Sequence, residues 1–321
     1  MSPRSVRWRR AALSAALALV PTWAAAQAAP AGLVPYKDVQ IGLDPATARV
    51  AWPRDLPEVV LAFAGGRCGH ERWGAVDGAA FAAANLPALV QAGRRYWVST
   101  GGAEARFSCD SADGLRAFVQ RYDSPLLQGL DFDIERDQTP EEIDALVRHA
   151  VTVARERPGL RWMFTLATLA GSDERGAGLN ATGEAVMAAL RRHGLDQAIV
   201  NLMVMDYGPG TPANCVPRAD APRCDMARSA LQAQRLLAQR HGWPAARTAL
   251  TPMLGVNDVT DNVFSPEDAA WLLREARAAG LAGVFAWSLD RDGPCAAAEP
   301  LVSPRCHGLP GLPRGHFLDL R

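Results

Sequence analysis

Eight short runs of β-branched, aromatic and leucine residues recur along the chain, and longer amphipathic segments separate them. This alternation is typical of βα units built around a parallel sheet. The predicted strands cover residues 36–42, 59–65, 95–101, 129–135, 161–168, 199–207, 248–256 and 283–290. Because no linker, internal repeat or second composition regime interrupts them, we predict an α/β fold, a single-domain (β/α)8 TIM barrel.

The segments between the strands read as helices with explicit start signals. Thr139 is a predicted N-cap followed by proline at the first helical position and an acid at the third, and Ser265 begins the same pattern. About 26 residues separate the seventh strand from the eighth, which leaves room for one helix and for no inserted α+β subdomain. An open doubly wound sheet is the weaker alternative, because no Gly-x-Gly-x-x-Gly turn follows an early strand.

The first 26 residues are predicted to be an export signal and not part of the fold. Four arginines precede an apolar stretch from Ala11 to Val20, and a small-residue site follows at Ala24-Ala25-Ala26. The apolar stretch is shorter than the roughly 20 residues of a bilayer-spanning helix. We therefore expect a secreted or periplasmic protein with no membrane anchor after cleavage, whose catalytic domain covers residues 27–321.

Charge and composition exclude several classes of function. The 34 basic side chains balance the 34 acidic ones, and removal of the export signal with its four arginines leaves a net charge of about −4. A basic nucleic-acid footprint is therefore absent. Lys37 is the only lysine, and neither a Schiff-base motif nor a phosphate-loop motif surrounds it. We expect a monomer that does not bind nucleic acid.

Six cysteines in an exported chain indicate disulfides, although six cysteines allow fifteen connectivities. Spacing favours two pairs that each close a short loop rich in proline and alanine, which leaves the other two cysteines for a third bridge. The favoured pairs are Cys215 with Cys224, Cys295 with Cys306, and Cys68 with Cys109. A metal site is the alternative, but no Cys-x-x-Cys pair exists and the six histidines lack ligand spacing, so we expect no metal.

Three acids alternate with two apolar residues in the fourth predicted strand. Asp131, Asp133 and Glu135 share one face because residues at i, i+2 and i+4 of a strand point the same way. Like charges in a barrel interior resist joint ionisation, so at least one acid should stay protonated near neutral pH. A glycosidase needs this arrangement, since a protonated acid donates to the leaving oxygen and a neighbouring carboxylate stabilises positive charge.

Two other interpretations of these acids remain open. A half-exposed strand with its acids toward water is disfavoured in a parallel barrel, where buried acids need partners or a function. A divalent-cation site ranks below hydrolysis. Glu135 ends the strand, on the side where barrel enzymes place their active sites.

This strand resembles the signature of family 18 glycoside hydrolases, Asp-x-x-Asp-x-Asp-x-Glu, with Gln128 in place of the first acid. Four further segments are similar to motifs of small bacterial chitinases on the expected strands. They are Ser-Thr-Gly-Gly at 99–102, Met-Val-Met-Asp-Tyr-Gly at 203–208, Thr-Pro-Met-Leu-Gly-Val-Asn-Asp at 251–258 and Phe-Ala-Trp-Ser-Leu-Asp-Arg-Asp at 285–292. The five motifs span the third strand to the eighth.

The resemblance implies an enzyme that cleaves β-1,4-linked N-acetylglucosamine polymers by substrate-assisted retaining catalysis, without a cofactor. Glu135 would protonate the glycosidic oxygen while the acetamide oxygen of the substrate attacks the anomeric carbon. Asp133 would orient the acetamide, Asp131 would share its proton, and Tyr207 would hydrogen-bond the acetamide. The remaining implied pocket residues are Trp287 beneath the sugar, Met205, Asp206, Gly101 and Gly102.

Alternatives to a chitinase come from two classes. A catalytically impaired, lectin-like relative would typically lose the acid at position 135, which this chain retains. An endo-N-acetylglucosaminidase or a peptidoglycan-acting enzyme would share the mechanism and differ in groove shape. Without an inserted domain the cleft should be open, which favours internal cleavage, and Trp73 and Trp243 are candidates for extending a sugar platform. The apolar end of the fifth strand, residues 165–171, leaves the subsites on that side undefined.

Overall fold

The computed structural model describes residues 32–53, 56–135, 137–173 and 178–320, so the predicted export signal lies outside the described residues. Eight parallel strands form a closed barrel in chain order, with β8 paired to β1 and β4 paired to β5. The strands are β1 (Val34–Asp38), β2 (Glu58–Ala64), β3 (Arg95–Gly101), β4 (Leu127–Asp133), β5 (Arg161–Leu169), β6 (Ile199–Met203), β7 (Thr248–Thr251) and β8 (Gly283–Ala286). The predicted barrel is confirmed.

In the described part of the chain, six α-helices lie between consecutive strands from β2 to β8. They are α1 (Gly78–Gln91), α2 (Ala112–Arg121), α3 (Pro140–Glu156), α4 (Ala181–His193), α5 (Met226–His241) and α6 (Pro266–Ala278). Thr139 and Ser265 form capping boxes at the starts of α3 and α6, as predicted. The connection from β7 to β8 contains a hairpin of two short strands, Gly255–Val256 and Val263–Phe264, followed by α6. It leaves no place for an inserted subdomain.

The first connection differs from the predicted helix. Its described residues form a hairpin of Leu43–Asp44 with Arg49–Val50. The buried Asn85 of α1 accepts from the backbone of Val50 at 2.9 Å and donates to the carbonyl of Ala48 at 2.7 Å. The side chain of a neighbouring helix thus satisfies backbone groups that a local helix would have satisfied, an arrangement invisible to local sequence patterns.

The buried apolar side chains of the described residues form two clusters. The larger lies between the strands and the surrounding helices, and the smaller fills the barrel interior. In the smaller cluster the Trp97 indole occupies the space beside Gly129, where an added Cβ would overlap the ring. The other buried members are Tyr36, Val60, Ala62, Met163, Ile199, Ala249 and Phe285. This packing closes the barrel below its C-terminal end.

All three predicted disulfides are present, joining Cys215 to Cys224, Cys295 to Cys306 and Cys68 to Cys109. The third bridge lies beside a short parallel ladder of Gly66–Arg67 with Phe107–Ser108, which ties the loop after β2 to the loop after β3. None of the helices in the described ranges has both the length and the hydropathy of a membrane span.

Six of the eight strands end earlier than the sequence predicted, and in the last three the difference moves motif residues out of the strand. β6 ends at Met203, β7 at Thr251 and β8 at Ala286. The motif residues that follow them, including Tyr207 and Trp287, therefore lie in loops at the C-terminal end of the barrel. Loops can adopt the geometry of a binding site while the strands hold their ends in place.

Candidate active site

A cavity of about 410 Å³ opens at the C-terminal end of the barrel strands. Six of the predicted site residues line it: Asp133, Glu135, Gly101, Met205, Asp206 and Trp287. Asp131 lies below them with no exposed surface. The structure thus brings most of the predicted site together at the end of the barrel where the sequence placed it.

The three acids of β4 occupy successive depths. Asp131 and Asp133 face the barrel interior and are 0% and 4% exposed, whereas Glu135 follows the end of the strand and is exposed. Ile134 between them is buried in the outer core. The period-two alternation predicted from sequence therefore continues past the last ladder residue and directs Glu135 into the cavity.

Gly101 and Gly102 allow β3 to approach β4 closely at this point. Gly101 has a φ of +88°, and a Cβ there would overlap the carbonyl oxygen of Asp133. The amide of Gly102 donates to the same carbonyl at 3.1 Å, and its open face accommodates the Phe63 ring. Only glycine fits both requirements, left-handed backbone and close contact.

Asp131 accepts hydrogen bonds from three hydroxyl groups on three other strands. Tyr36 and Ser99 donate to Oδ2 at 2.9 and 2.6 Å, and Thr165 donates to Oδ1 at 2.7 Å. Burial raises the pKa of Asp131 to about 6, and the three hydrogen bonds oppose that rise by stabilising the carboxylate. The three donors thus stabilise the charged form of Asp131.

Asp133 has the opposite surroundings. Its Oδ1 is buried and has no hydrogen-bond partner among the described residues. Burial, followed by the charges of Glu135 and Asp131, raises the pKa of Asp133 well above the usual range of an aspartate. These surroundings favour the protonated form of Asp133, and its Oδ1 presents an unsatisfied polar atom to whatever enters the cavity.

Half-buried aromatic rings form one wall of the cavity. The Trp287 indole stacks on Phe63 with ring centroids 5.5 Å apart and an interplanar angle of 22°, and it lies 6.3 Å from the Tyr36 ring. An exposed aromatic face at this position suits the apolar face of a pyranose ring. The predicted platform does not extend further: Trp73 and Trp243 are buried in the outer core.

The loop after β6 is fixed by contacts with the loop after β7. Asp206, in a left-handed conformation with a φ of +49°, accepts from the amide of Val259 at 2.8 Å, and its own amide donates to Asn257 at 3.3 Å. Tyr207 is 2% exposed, does not line the cavity, and its hydroxyl has no partner within the described part of the chain. Gly102 also lies behind the lining.

Acids dominate the charged groups of the cavity. In addition to Asp133, Glu135 and Asp206, the lining includes Asp38, Glu104 and Asp258. Among the described residues the single lining cation is Arg291, which is buried and donates to the carbonyls of Leu254 at 3.1 Å and Ser303 at 2.6 Å and to that of Val256. The described residues contain no group of three or more His, Cys, Asp or Glu side chains arranged to hold a metal ion.

Several site residues escaped the sequence analysis. Tyr36, Phe63 and Thr165 line the cavity from β1, β2 and β5, and Tyr36 and Thr165 also bind Asp131. Tyr36 and Thr165 have the parity of the inward face of their strands, a signal that they share with many other inward positions. Phe63 has the opposite parity to the inward-facing Val60 and Ala62 and reaches the cavity where the register of β2 with β3 shifts, so alternation could not have indicated it.

The end of β5 is also better defined in the structure than in the sequence. The amide of Ala170 donates to the carbonyl of Asn214 at 2.9 Å and that of Ser172 to Pro212 at 2.7 Å, so the disulfide-bridged loop after β6 supports the segment after β5. Residues 174–177 of this segment lie outside the described ranges.

Two known proteins are similar to this chain in sequence. A probable bifunctional chitinase/lysozyme of Escherichia coli (strain K12) is 28% identical over 299 residues, which is 86% of this chain and 32% of that protein. Endochitinase 11 of Metarhizium anisopliae is 27% identical over 281 residues, 82% of this chain and 52% of that protein. The chain is chitinase-like. It spans about a third and about half of the length of these two relatives, and no protein-family model matches it.

Solved structures with the same architecture confirm the fold of the chitinase-like chain. The catalytic domain of a hyperthermophilic chitinase from Pyrococcus furiosus superimposes with a TM-score of 0.68 at 24% identity, over 92% of this chain and 95% of that one. Catalytic-site mutants of active domain 2 of a thermostable chitinase from the same organism, complexed with chito-oligosaccharides, match equally well.

Proposed function

We propose that this protein is an exported glycoside hydrolase that cleaves chitin-like, β-1,4-linked N-acetylglucosamine polymers at internal bonds. The observation that carries the proposal is the stacked set of acids on β4: an ionisable Asp131 with three donors, an Asp133 with an unpartnered oxygen, and an exposed Glu135 in the cavity. The likeness to chitinases in sequence and fold supports the same conclusion.

In this proposal Glu135 donates a proton to the glycosidic oxygen and later returns as the base that activates water. The acetamide oxygen of the substrate attacks the anomeric carbon, so the protein needs no nucleophile of its own. Asp133, whose Oδ1 lacks a partner, accepts the acetamide NH and places the acetamide oxygen in line. Asp131 takes the Asp133 proton when positive charge develops on the intermediate, and Trp287 supports the sugar ring.

Tyr207 is part of this proposal through its hydroxyl, which has no partner among the described residues. Because the residue is 2% exposed, its role requires the bound acetamide to reach below the present lining of the cavity. Met205, Asp206 and the glycines at 101 and 102 complete the pocket.

The cavity charge favours a neutral polymer over an anionic one. The described lining carries several acids, and the donors of Arg291, its cation, bind backbone carbonyls. Peptidoglycan carries carboxylates on its peptide stems, which these acids would repel. A lectin-like role is not favoured, because binding alone does not require a protonated carboxyl beside an exposed glutamate.

Export completes the proposal. Three disulfides are typical of proteins that fold in an oxidising compartment. The arginines and apolar stretch before residue 27 fit a cleaved signal. Release of the mature chain into culture medium or periplasm, followed by N-terminal sequencing, tests this point.

The decisive experiment compares wild type with Glu135→Gln on chitin, chito-oligosaccharides, a high-mannose glycoprotein and peptidoglycan. We expect cleavage of the first two by wild type and a loss of about 10³-fold or more in the variant, with binding retained, since a general acid contributes about 10²–10⁴-fold. Glu141→Gln, an exposed acid in the first turn of α3, is the matched control and should retain full activity. Equal activity of wild type and Glu135→Gln, or no activity on any substrate, would exclude the hydrolase.

A second experiment tests the chemical route. A thiazoline that mimics the cyclised acetamide intermediate should inhibit the enzyme competitively. Full activity in the presence of saturating thiazoline would require a protein nucleophile in place of the acetamide.

A further inference from the structure

The hydroxyl groups around Asp131 have more than one acceptor within reach. Tyr36 Oη and Thr165 Oγ1 lie 3.2 Å apart, so either hydroxyl proton can turn toward the other oxygen and away from the carboxylate. A hydroxyl has one proton, and its direction depends on what else surrounds the oxygen. The donors of Asp131 therefore need a further group that fixes their direction.

Asn201 on β6 supplies that constraint. Its Nδ2 donates to Tyr36 Oη at 3.1 Å and to Thr165 Oγ1 at 2.9 Å. An amide NH₂ group donates only, so both hydroxyl oxygens act as acceptors and each has its own proton free for Asp131. Asn201 is fully buried and does not line the cavity, so it does not touch a bound ligand there.

Thr251 on β7 fixes the amide itself. Its hydroxyl donates to Asn201 Oδ1 at 2.9 Å, which satisfies the oxygen on the side away from Tyr36 and Thr165. Without that donor, Oδ1 would be a buried acceptor with no partner, and rotation of the amide toward the two hydroxyls would satisfy it. The rotated amide would then take the protons that Asp131 now receives.

We infer that Asn201, oriented by Thr251, is a positioning residue that directs the hydroxyl protons of Tyr36 and Thr165 to Asp131 and thereby keeps Asp131 the charged member of the acid pair. This inference rests on the proposed function, because a hydrolase needs Asp131 ready to take a proton from Asp133. Four strands contribute to one carboxylate: β1, β5, β6 and β7 act through this chain of hydrogen bonds, independently of Ser99 on β3.

The surroundings of Asp131 leave few other groups to set its charge. The titratable groups facing it are Asp133 on the same strand and Tyr36 on β1, while β3, β5 and β6 present neutral hydroxyl and amide groups. None of its hydrogen-bond partners is a cation. Loss of the directed hydroxyls therefore acts on Asp131 without compensation.

The test measures the pKa of Asp131 directly, by carboxyl ¹³C NMR on the ligand-free protein, and in parallel the acid limb of the kcat/KM profile. We expect Asn201→Leu to raise the pKa of Asp131 and the midpoint of the acid limb by about one pH unit, which is a tenfold change in the proton-binding constant. The conservative Thr251→Val should raise the same two quantities by about half as much. Thr248→Val is the matched control on the same strand, since its buried hydroxyl donates to the Pro244 carbonyl outside this network. In this variant the pKa of Asp131 and the kcat/KM profile should equal those of wild type.

An unchanged Asp131 pKa in both Asn201→Leu and Thr251→Val would overturn the inference. If Asn201→Leu fails to fold, Thr251→Val alone decides. The NMR measurement needs no substrate, so a wild-type protein inactive on every polymer would refute the proposed function while leaving this test valid.

Discussion

Two of the buried carboxylate sites among the described residues stabilise their acids differently. In the loop between β2 and α1, Glu71 has no exposed surface, and its Oε1 accepts from the Arg121 guanidinium and from the Tyr122 hydroxyl at 2.8 Å. In the barrel, Asp131 receives only hydroxyl donors and Asp133 receives none on Oδ1.

The difference lies in charge pairing and not in burial. Glu71 Oε2 also lacks a hydrogen bond among the described residues, yet its Oε1 forms an ion pair with the Arg121 guanidinium. Asp133 has two acids as its charged neighbours, Glu135 and Asp131. A buried acid that holds loops together is paired with an arginine, whereas the acids of a reactive site are left able to exchange a proton.

The largest expected difference is in activity. Asp133→Asn should reduce kcat by about 10²–10³-fold, because the amide cannot exchange a proton with Asp131 when charge develops on the substrate. Glu71→Gln should keep kcat within about threefold of wild type, since a loop-stabilising acid makes no contact with the cavity. Initial rates on chito-oligosaccharides measure kcat of both variants. Comparable losses of kcat in the two variants would show that the two sites do not differ in their contribution to activity.

The same two variants should change stability in opposite directions. Glu71→Gln should lower the free energy of unfolding by about 2–3 kcal/mol, because it leaves the Arg121 charge and a buried network without their acid. Asp133→Asn should raise it by at least about 1 kcal/mol at pH 8, because the amide is neutral at every pH and its folding does not require the uptake of a proton. Urea denaturation of both variants beside wild type measures this. Destabilisation by Asp133→Asn at pH 8 would mean that Asp133 is stabilised as an anion.

The pH dependence sharpens the contrast. An unfolded aspartate loses its proton near a pKa of about 3.9, whereas folded Asp133 retains it because burial and like charge raise its pKa. Its contribution to stability is therefore fully present below about pH 4 and is lost as the pH rises toward the folded pKa, by at most about 1.4 kcal/mol per pH unit. The stability difference between Asp133→Asn and wild type should grow from pH 4 to pH 8. A difference that stays constant across this range would contradict the raised pKa.

The smallest effect tests a single donor at each site. Tyr122→Phe removes the hydroxyl that donates to Glu71 and that accepts from the Trp73 indole at 2.8 Å. It should lower the free energy of unfolding by about 1–2 kcal/mol at any pH between 5 and 8. Ser99→Ala removes one of three donors from Asp131, so its cost should be smaller and should fall at pH 5, where Asp131 is protonated more often. Thermal unfolding at pH 5 and pH 8 separates the two patterns. The same pH dependence in both variants would argue against a proton-exchanging Asp131.

The sequence alone determined the repeating βα order, the shared face of Asp131, Asp133 and Glu135, and the helix caps at Thr139 and Ser265, and it favoured the two short-loop disulfides that the structure contains. These features depend on local periodicity, cap chemistry or short loops, which a linear pattern records. Even the position of Trp287 at the site followed from its motif on the eighth strand.

Tertiary structure decided the rest. It replaced the first helix by a hairpin held by Asn85, buried Tyr207 behind the lining, and set Phe63 against Trp287. Above all, it chose which hydroxyls meet Asp131. Tyr36 and Thr165 are 95 and 34 residues from it in sequence and reach it only because the stagger of the closed barrel brings their strands to the same depth. That stagger is a property of all eight strands together, and no single strand encodes it.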